Sequence, residues 1–200
     1  EALEFHPKNV PLLLAAASLY QRTELTNRSM DLYNQVLQEE PDNLEALSGQ
    51  AANYTTLGFY SKARYYYDQF FALNPQAEPQ YRARYANTFL SQSNYQEAFI
   101  HITMALMQDN TSPDFWLVSA KAARGLKRYQ KALEDIDAAL LLAPQREDLL
   151  ANKALWQNEA GQYKESSQTA REILKISPKN QLALFILAMD EFHLGDLKTA

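Results

Sequence analysis

Histidines, carboxylates, hydroxyls and glycines are the residues of this 200-residue chain that could do chemistry, and their spacing supplies no reaction centre. His6, His101 and His193 lie 95 and 92 residues apart. Metal ligands must converge within a few ångströms, so each histidine reads as a surface or partly buried side chain. Gly49, Gly58, Gly125, Gly161 and Gly195 never cluster into a phosphate-cradling loop. No Gly-x-Ser-x-Gly elbow presents a nucleophilic serine. The absence of cysteine removes thiolate nucleophiles, thiolate metal sites and disulfides together. Glu134, Asp135 and Asp137 could pair as general acid and base. Beside Lys127, Arg128 and Lys131 they read instead as the solvated, salt-bridged side of a helix. The expectation is a non-enzymatic chain with no catalytic residue, no metal and no cofactor.

The elements behind these residues are repeated. In the block from Leu44 to Ala77, Leu47, Ala51 and Tyr54 recur along one helix face. A turn at Gly58-Phe59 follows, and Tyr60, Ala63, Tyr67, Phe70 and Phe71 make a second amphipathic helix that stops at Pro75. Two helices with one apolar seam form a hairpin. Pro7, Pro41 and Pro75 stand 34 residues apart, as do Pro144 and Pro178. The 69 residues between Pro75 and Pro144 fit two such periods with one residue inserted near Glu78-Pro79, Asn110 carrying the intervening stop. The turn recurs in step at Gly58-Phe59-Tyr60, Ser93-Asn94-Tyr95, Lys127-Arg128-Tyr129, Gly161-Gln162-Tyr163 and Gly195-Asp196-Leu197. A fixed period of this length is the signature of a repeat architecture.

With these anchors the chain resembles the tetratricopeptide-repeat family, whose unit is a 34-residue helix-turn-helix. Its bulky first-helix residue matches Leu13, Leu47, Trp116, Leu150 and Leu184, and its small partner matches Ala17, Ala51, Ala86, Ala120, Ala154 and Ala188. Its large second-helix residue matches Tyr33, Tyr67, Ile102 and Ile136. Arg82, Ala170 and the Glu24-Leu25-Thr26 turn depart from the pattern. The resemblance implies an all-α, right-handed superhelical solenoid of antiparallel helix pairs. Residues 1–9 read as the end of a preceding repeat. Full repeats occupy 10–43, 44–77, 79–112, 113–146 and 147–180, and 181–200 begins a further one. Starting and ending inside a unit predicts either a segment of a longer array or ends that pair with another molecule. Phe185, Ile186, Leu187, Met189 and Phe192 on the last helix are the opposite of the polar cap a solenoid end requires.

Composition bounds the partners. A net charge of −5 argues against generic nucleic-acid binding, which needs a basic face. No apolar run approaches the ~20 residues of a membrane span. Cytoplasm and periplasm are both compatible with a chain that lacks cysteine. At the helix starts, Asp42 or Asn43 precedes Leu44, and Ser112-Pro113-Asp114 offers a capping hydroxyl before an acidic first turn.

Stacked hairpins display an extended groove from their first helices. Groove positions transferred from the family are Leu14, Ser18 and Arg22, then Ser48, Gly49, Ala52 and Thr55, then Gln80, Arg84 and Asn87. Lys121 and Arg124 follow, then Asn152, Leu155 and Asn158. The lysine–asparagine clamp by which some members hold a carboxylate fails here, because Leu14, Ser18 and Gly49 occupy its positions. A displaced set, Arg84, Asn87, Lys121, Arg124 and Asn152, keeps the chemistry of an anion site. The expected ligand is an acidic peptide or another anion, bound by a protein-interaction scaffold that takes a peptide or partner protein in its concave groove. Two other surfaces compete with it, the aromatics Tyr65 and Tyr66 and the apolar patch of the last helix. The alternatives are a docking or regulatory region of a larger enzyme or of a secretion or polysaccharide-export machine, and self-association through open repeat ends.

Overall fold

The computed structural model describes residues 8–195. Among them are eleven α-helices: α1 (Val10–Arg22), α2 (Thr26–Glu39), α3 (Leu44–Thr56), α4 (Tyr60–Leu73), α5 (Pro79–Leu90), α6 (Tyr95–Gln108), α7 (Pro113–Gly125), α8 (Tyr129–Leu142), α9 (Glu147–Glu159), α10 (Tyr163–Ile176) and α11 (Gln181–Leu194). No strand occurs among the described residues. No helix there is long and apolar enough to cross a membrane. His6 and most of the half repeat at 1–9 lie outside the described residues, as do Asp196-Leu197 and the rest of the chain to Ala200.

One left-handed residue per turn sets the hairpin geometry. Glu24, Gly58, Ser93, Lys127 and Gly161 all have φ between 57° and 77°, and Gly195 has φ 79°. After five of them the next amide reaches back to close the preceding helix: Leu25 N to Tyr20 O (2.9 Å), Phe59 N to Tyr54 O (2.9 Å), Asn94 N to Phe89 O (3.0 Å), Arg128 N to Ala123 O (2.9 Å) and Gln162 N to Gln157 O (2.8 Å). This is the Schellman closure, which needs a left-handed residue just past the helix end. Glycine supplies that conformation without steric cost, whereas glutamate, serine and lysine hold it under mild strain.

First helices start on asparagine caps where the sequence provides one. Asn9, Asn43 and Asn180 each accept from a backbone amide three residues on, all at 3.0 Å. Ser112 departs from expectation, since its hydroxyl makes no cap bond. The amides of Phe115 and Trp116 turn instead to the Ser112 carbonyl, at 3.2 and 3.4 Å. The connection 74–78 is one residue longer than the other inter-hairpin connections, and Pro79 begins α5 directly after it.

The chain forms two compact units, one ending at Asn94 and the other beginning at Tyr95. In the first, Leu13 and Ala17 of α1 pack with Tyr33 and Val36 of α2 and with Ala46 of α3. Leu47 and Phe70 join α3 to α4, with Ala77 and the Tyr81 ring of α5 against them. In the second, Leu117, Ala120 and Ala123 of α7 meet Ala132, Ile136 and Ala139 of α8, and Leu149 and Trp156 of α9 close that cluster. Leu150 and Ala154 of α9, Ala170 and Ile173 of α10, and Ala183 and Ile186 of α11 form the next one. Each unit is thus a layered stack of antiparallel helices whose apolar seams are shared with the next helix, an all-α repeat solenoid. The small side chains of Ala17, Ala51, Ala86, Ala120 and Ala154 are wholly buried because they lie where helices approach most closely.

Three positions differ from expectation. Asp135 is not on a solvated face: it is 1 % exposed and accepts from Ser119 Oγ (2.8 Å) and Lys131 Nζ (2.7 Å). Its place on α8 faces α7, so only its neighbours Glu134 and Asp137 project outward. Ile186 leaves the apolar patch on α11, because it points into the core formed with α9 and α10. Leu184, which matches the bulky first-helix position, is half exposed.

Candidate functional site

A concavity in the first unit lies on the face built by the first helices α1, α3 and α5. It is a pocket of 630 Å³. Helix α1 contributes Ser18, Gln21 and Arg22, α3 contributes Leu44, Glu45, Ser48 and Gly49, and α5 contributes Tyr81 and Arg84. The floor exists because residues 48 and 49 are small and because the Tyr33 ring of α2 reaches through to Gly49.

A buried amide network holds α1, α2 and α3 in register below it. Gln21 Nε2 donates to Gly49 O (3.2 Å) and Asn53 Oδ1 (2.8 Å), and Asn53 Nδ2 donates to Ser29 Oγ (2.9 Å). Gln50 Nε2 donates to Met30 O (2.9 Å) and Asn34 Oδ1 (2.6 Å). The network makes the geometry specific, since breaking one of these bonds strands a further polar group beside the already unpartnered Gln50 Oε1.

Charge in the pocket is mixed. Arg22 sits in the last turn of α1, where a cation complements the helix dipole, and forms no hydrogen bond or ion pair among the described residues. Arg84 likewise has no ion pair there and lies with its guanidinium carbon 5.9 Å from the Tyr81 ring centre. Glu45 is exposed and without an ion pair, whereas Glu78 accepts a short hydrogen bond from Gln80. Burial, reinforced by the nearby Glu45 carboxylate, pushes the Tyr33 phenol up to about 12. At neutral pH it is therefore a protonated donor.

The displaced anion set is dispersed over the two units. Arg84 and Asn87 are exposed on α5 of the first. On α7 of the second, Lys121 is exposed and has no side-chain partner among the described residues. Arg124 is already committed: its Nε donates to Glu159 Oε2 at 2.9 Å, its Nη2 bonds Oε1, and its guanidinium lies 5.8 Å from the Trp156 ring centre. Asn152 Nδ2 donates to the Asp148 carbonyl one turn back, at 2.6 Å. Arg84, Asn87 and Lys121 remain able to meet a ligand. Sequence reasoning counted Tyr33 only as core and did not name Tyr81.

The other acids at helix starts serve local structure. Arg146 bridges Asp114 (2.6 Å) and Asp148 (2.8 Å), and Glu147 accepts from Ser177 Oγ (2.6 Å) and Asn180 Nδ2 (3.2 Å). Among the described residues no three His, Asp or Glu side chains gather in a metal-binding arrangement. His193 stacks on Tyr163, with ring centres 4.4 Å apart.

No protein-family model matches the sequence. No curated protein matches it either. Solved structures do match. The chain resembles YrrB, described as a TPR protein with an unusual peptide-binding site, at 14 % identity and a TM-score of 0.76 over 92 % of this chain and 94 % of that one. It resembles PilF of Pseudomonas aeruginosa at 16 % identity and a TM-score of 0.79, covering 96 % and 86 % of the two chains. It resembles PilW, described as a type IV pilus biogenesis factor, at 17 % identity and a TM-score of 0.83, covering 96 % and 88 %. At these identities the likeness speaks for architecture: this chain has the fold of tetratricopeptide-repeat proteins, an array of helical hairpins.

Proposed function

We propose that the protein is a non-enzymatic interaction scaffold that binds an extended segment of a partner protein along its first-helix face. The observation that carries this reading is the 630 Å³ pocket between α1, α3 and α5, where Arg22 and Arg84 lack acidic partners among the described residues. YrrB, of similar architecture, is described as having a peptide-binding site, which supports the same use of the fold here. Unpaired guanidinium groups favour carboxylates, and Glu45 beside them favours one basic or donor group in the same ligand. Arg22 and Arg84 form the basic part of the proposed contact surface in the first unit, with Asn87 exposed on the same helix as Arg84. Lys121 is the exposed cation offered by the second unit, where Arg124 and Asn152 are held by partners of their own.

Calorimetric titration with a capped peptide of alternating glutamate and alanine tests the charge preference. Wild type should bind it in a salt-dependent way, and Arg22→Ala/Arg84→Ala should lose most of that affinity. Equal affinity in both proteins would remove the arginines from the site.

A second reading, self-association, rests on α11. Phe185 and Phe192 are 61 % and 62 % exposed there, and Leu184 and Met189 add to the same helix. Analytical ultracentrifugation should then show concentration-dependent mass that disappears in Phe185→Glu/Phe192→Glu, and a constant monomer mass would dismiss it.

A further inference from the structure

Two grooves of identical register lie on the faces formed by second helices, one in each unit. In the first unit a 360 Å³ groove runs between α2 and α4. In the second a 440 Å³ groove is lined from α8, α9 and α10. Asn34 and Asp137, Leu37 and Leu140, Pro41 and Pro144, and Gln69 and Glu172 line them at matching places. Each pair is 103 positions apart, as 137 is from 34. The repeat therefore builds the groove, and the side chains decide what it can hold.

Their chemistry diverges. The second groove is charged, with Glu172 and with Asp137 paired to Lys153 at 2.8 Å. The first has no charged side chain in its lining. It has tyrosines at 65 and 66, where the second unit carries Gln168 and Thr169. Tyr66 is held by stacking on Tyr54, with ring centres 5.5 Å apart and planes 13° from parallel. Tyr65 stands edge-on to Tyr66, 5.3 Å away at 82°, and is 61 % exposed. The two rings pack edge to face, and Tyr65 offers an exposed aromatic surface at the groove.

The amide side chains lining the groove are Asn34, Gln38 and Gln69. Asn34 Oδ1 is taken by Gln50, so what Asn34 can offer is its Nδ2 donor. An exposed aromatic ring beside amide N–H donors and an uncharged lining suits a ligand whose apolar rings need flat surfaces and whose carbonyls accept. A polyproline helix is such a ligand, because proline has no N–H and its backbone carbonyls stay solvated. A charged peptide would lose hydration here without gaining a counter-charge.

We propose that the α2–α4 groove docks an uncharged, proline-rich segment of a partner protein, its prolines seated against Tyr65 and Tyr66 and its carbonyls on the amides of Gln38, Gln69 and Asn34. This site is separate from the first-helix pocket and stands without it.

The test is a fluorescence or NMR titration of the intact chain with a capped peptide of repeating Pro-Leu-Pro-Pro, with the same peptide carrying Glu for Leu, and with cellohexaose. Saturable binding of the first peptide is expected, weakened about tenfold or more in Tyr65→Ala, as for an interface anchor. Gln69→Leu, which keeps the bulk and removes a donor, should weaken it as well. Arg84→Ala should leave it unchanged, and the glutamate peptide should bind less well. The proposal is overturned if the proline peptide fails to saturate, if folded Tyr65→Ala and Gln69→Leu bind it like wild type, or if cellohexaose occupies the groove in its place.

Discussion

The ring of Tyr33 fills the space that a side chain at residue 49 would need. A Cβ on Gly49 would overlap Cζ and Cε2 of Tyr33 and come within 2.8 Å of its Oη. Tyr33 is almost fully buried and cannot swing aside. Gly49→Ala therefore gains ~1 kcal/mol in helix propensity and loses more to overpacking, typically ~1–3 kcal/mol. Urea denaturation should show net destabilisation, relieved when Tyr33→Leu is added.

The left-handed turn residues predict changes of the opposite sign. Lys127→Gly and Ser93→Gly should each stabilise by up to ~1 kcal/mol, the relief of strain exceeding the entropy glycine returns to the unfolded chain. Gly58→Ala should destabilise by about the same amount, for a purely conformational reason, because nothing lies within 4 Å of the added carbon. Thermal melts of the three variants would check both signs.

Neighbouring aspartates on α8 should behave differently. Asp135→Ala strands the buried Ser119 hydroxyl and opens a small cavity, so it should cost roughly 2–4 kcal/mol. Asp137→Ala breaks only the half-exposed pair with Lys153 and should cost ~0–1 kcal/mol. Comparable losses in chemical denaturation would contradict the buried placement of Asp135.

Alkaline pH should unfold the first unit through its buried phenols. Burial raises Tyr33 to about 12, and Tyr67 and Tyr85 are raised further, Tyr85 also by the Asp68 carboxylate that accepts its hydroxyl at 2.6 Å. Below pH 10 these groups are protonated whether the chain is folded or not. Above it the unfolded chain ionises first, so stability falls from about pH 10 upward, through 12 for Tyr33. Denaturant midpoints measured across that range should fall, and Tyr33→Phe should reduce the slope.

Much of the architecture could be read from residue types because the prolines, the turn residues and the buried alanines share one period. The turn at Glu24 departs from the usual residue and still takes the same conformation, since the Tyr20 carbonyl and the Leu25 amide close it regardless of side chain. Orientation within a helix was harder. Asp135 and Ile186 were assigned from their neighbours, yet one faces α7 and the other the α9–α10 seam. The candidate site was the least visible part. Arg124 meets Glu159 and Gln21 meets Asn53 at separations of 35 and 32 residues, so partners one period away decide which groove residues are free. Helical spacing within a single repeat does not contain that information.

The central claim is that the pocket between α1, α3 and α5 is the partner site. The most direct measurement is affinity capture from native extract with three proteins, wild type, Arg22→Ala/Arg84→Ala and Tyr65→Ala, read by quantitative mass spectrometry. The account predicts a partner captured by wild type and lost from the arginine variant. Its acidic segment should cross-link to photoreactive groups placed at Ser18 or Ser48. Undiminished capture by the arginine variant, with no cross-link from either serine, would contradict it.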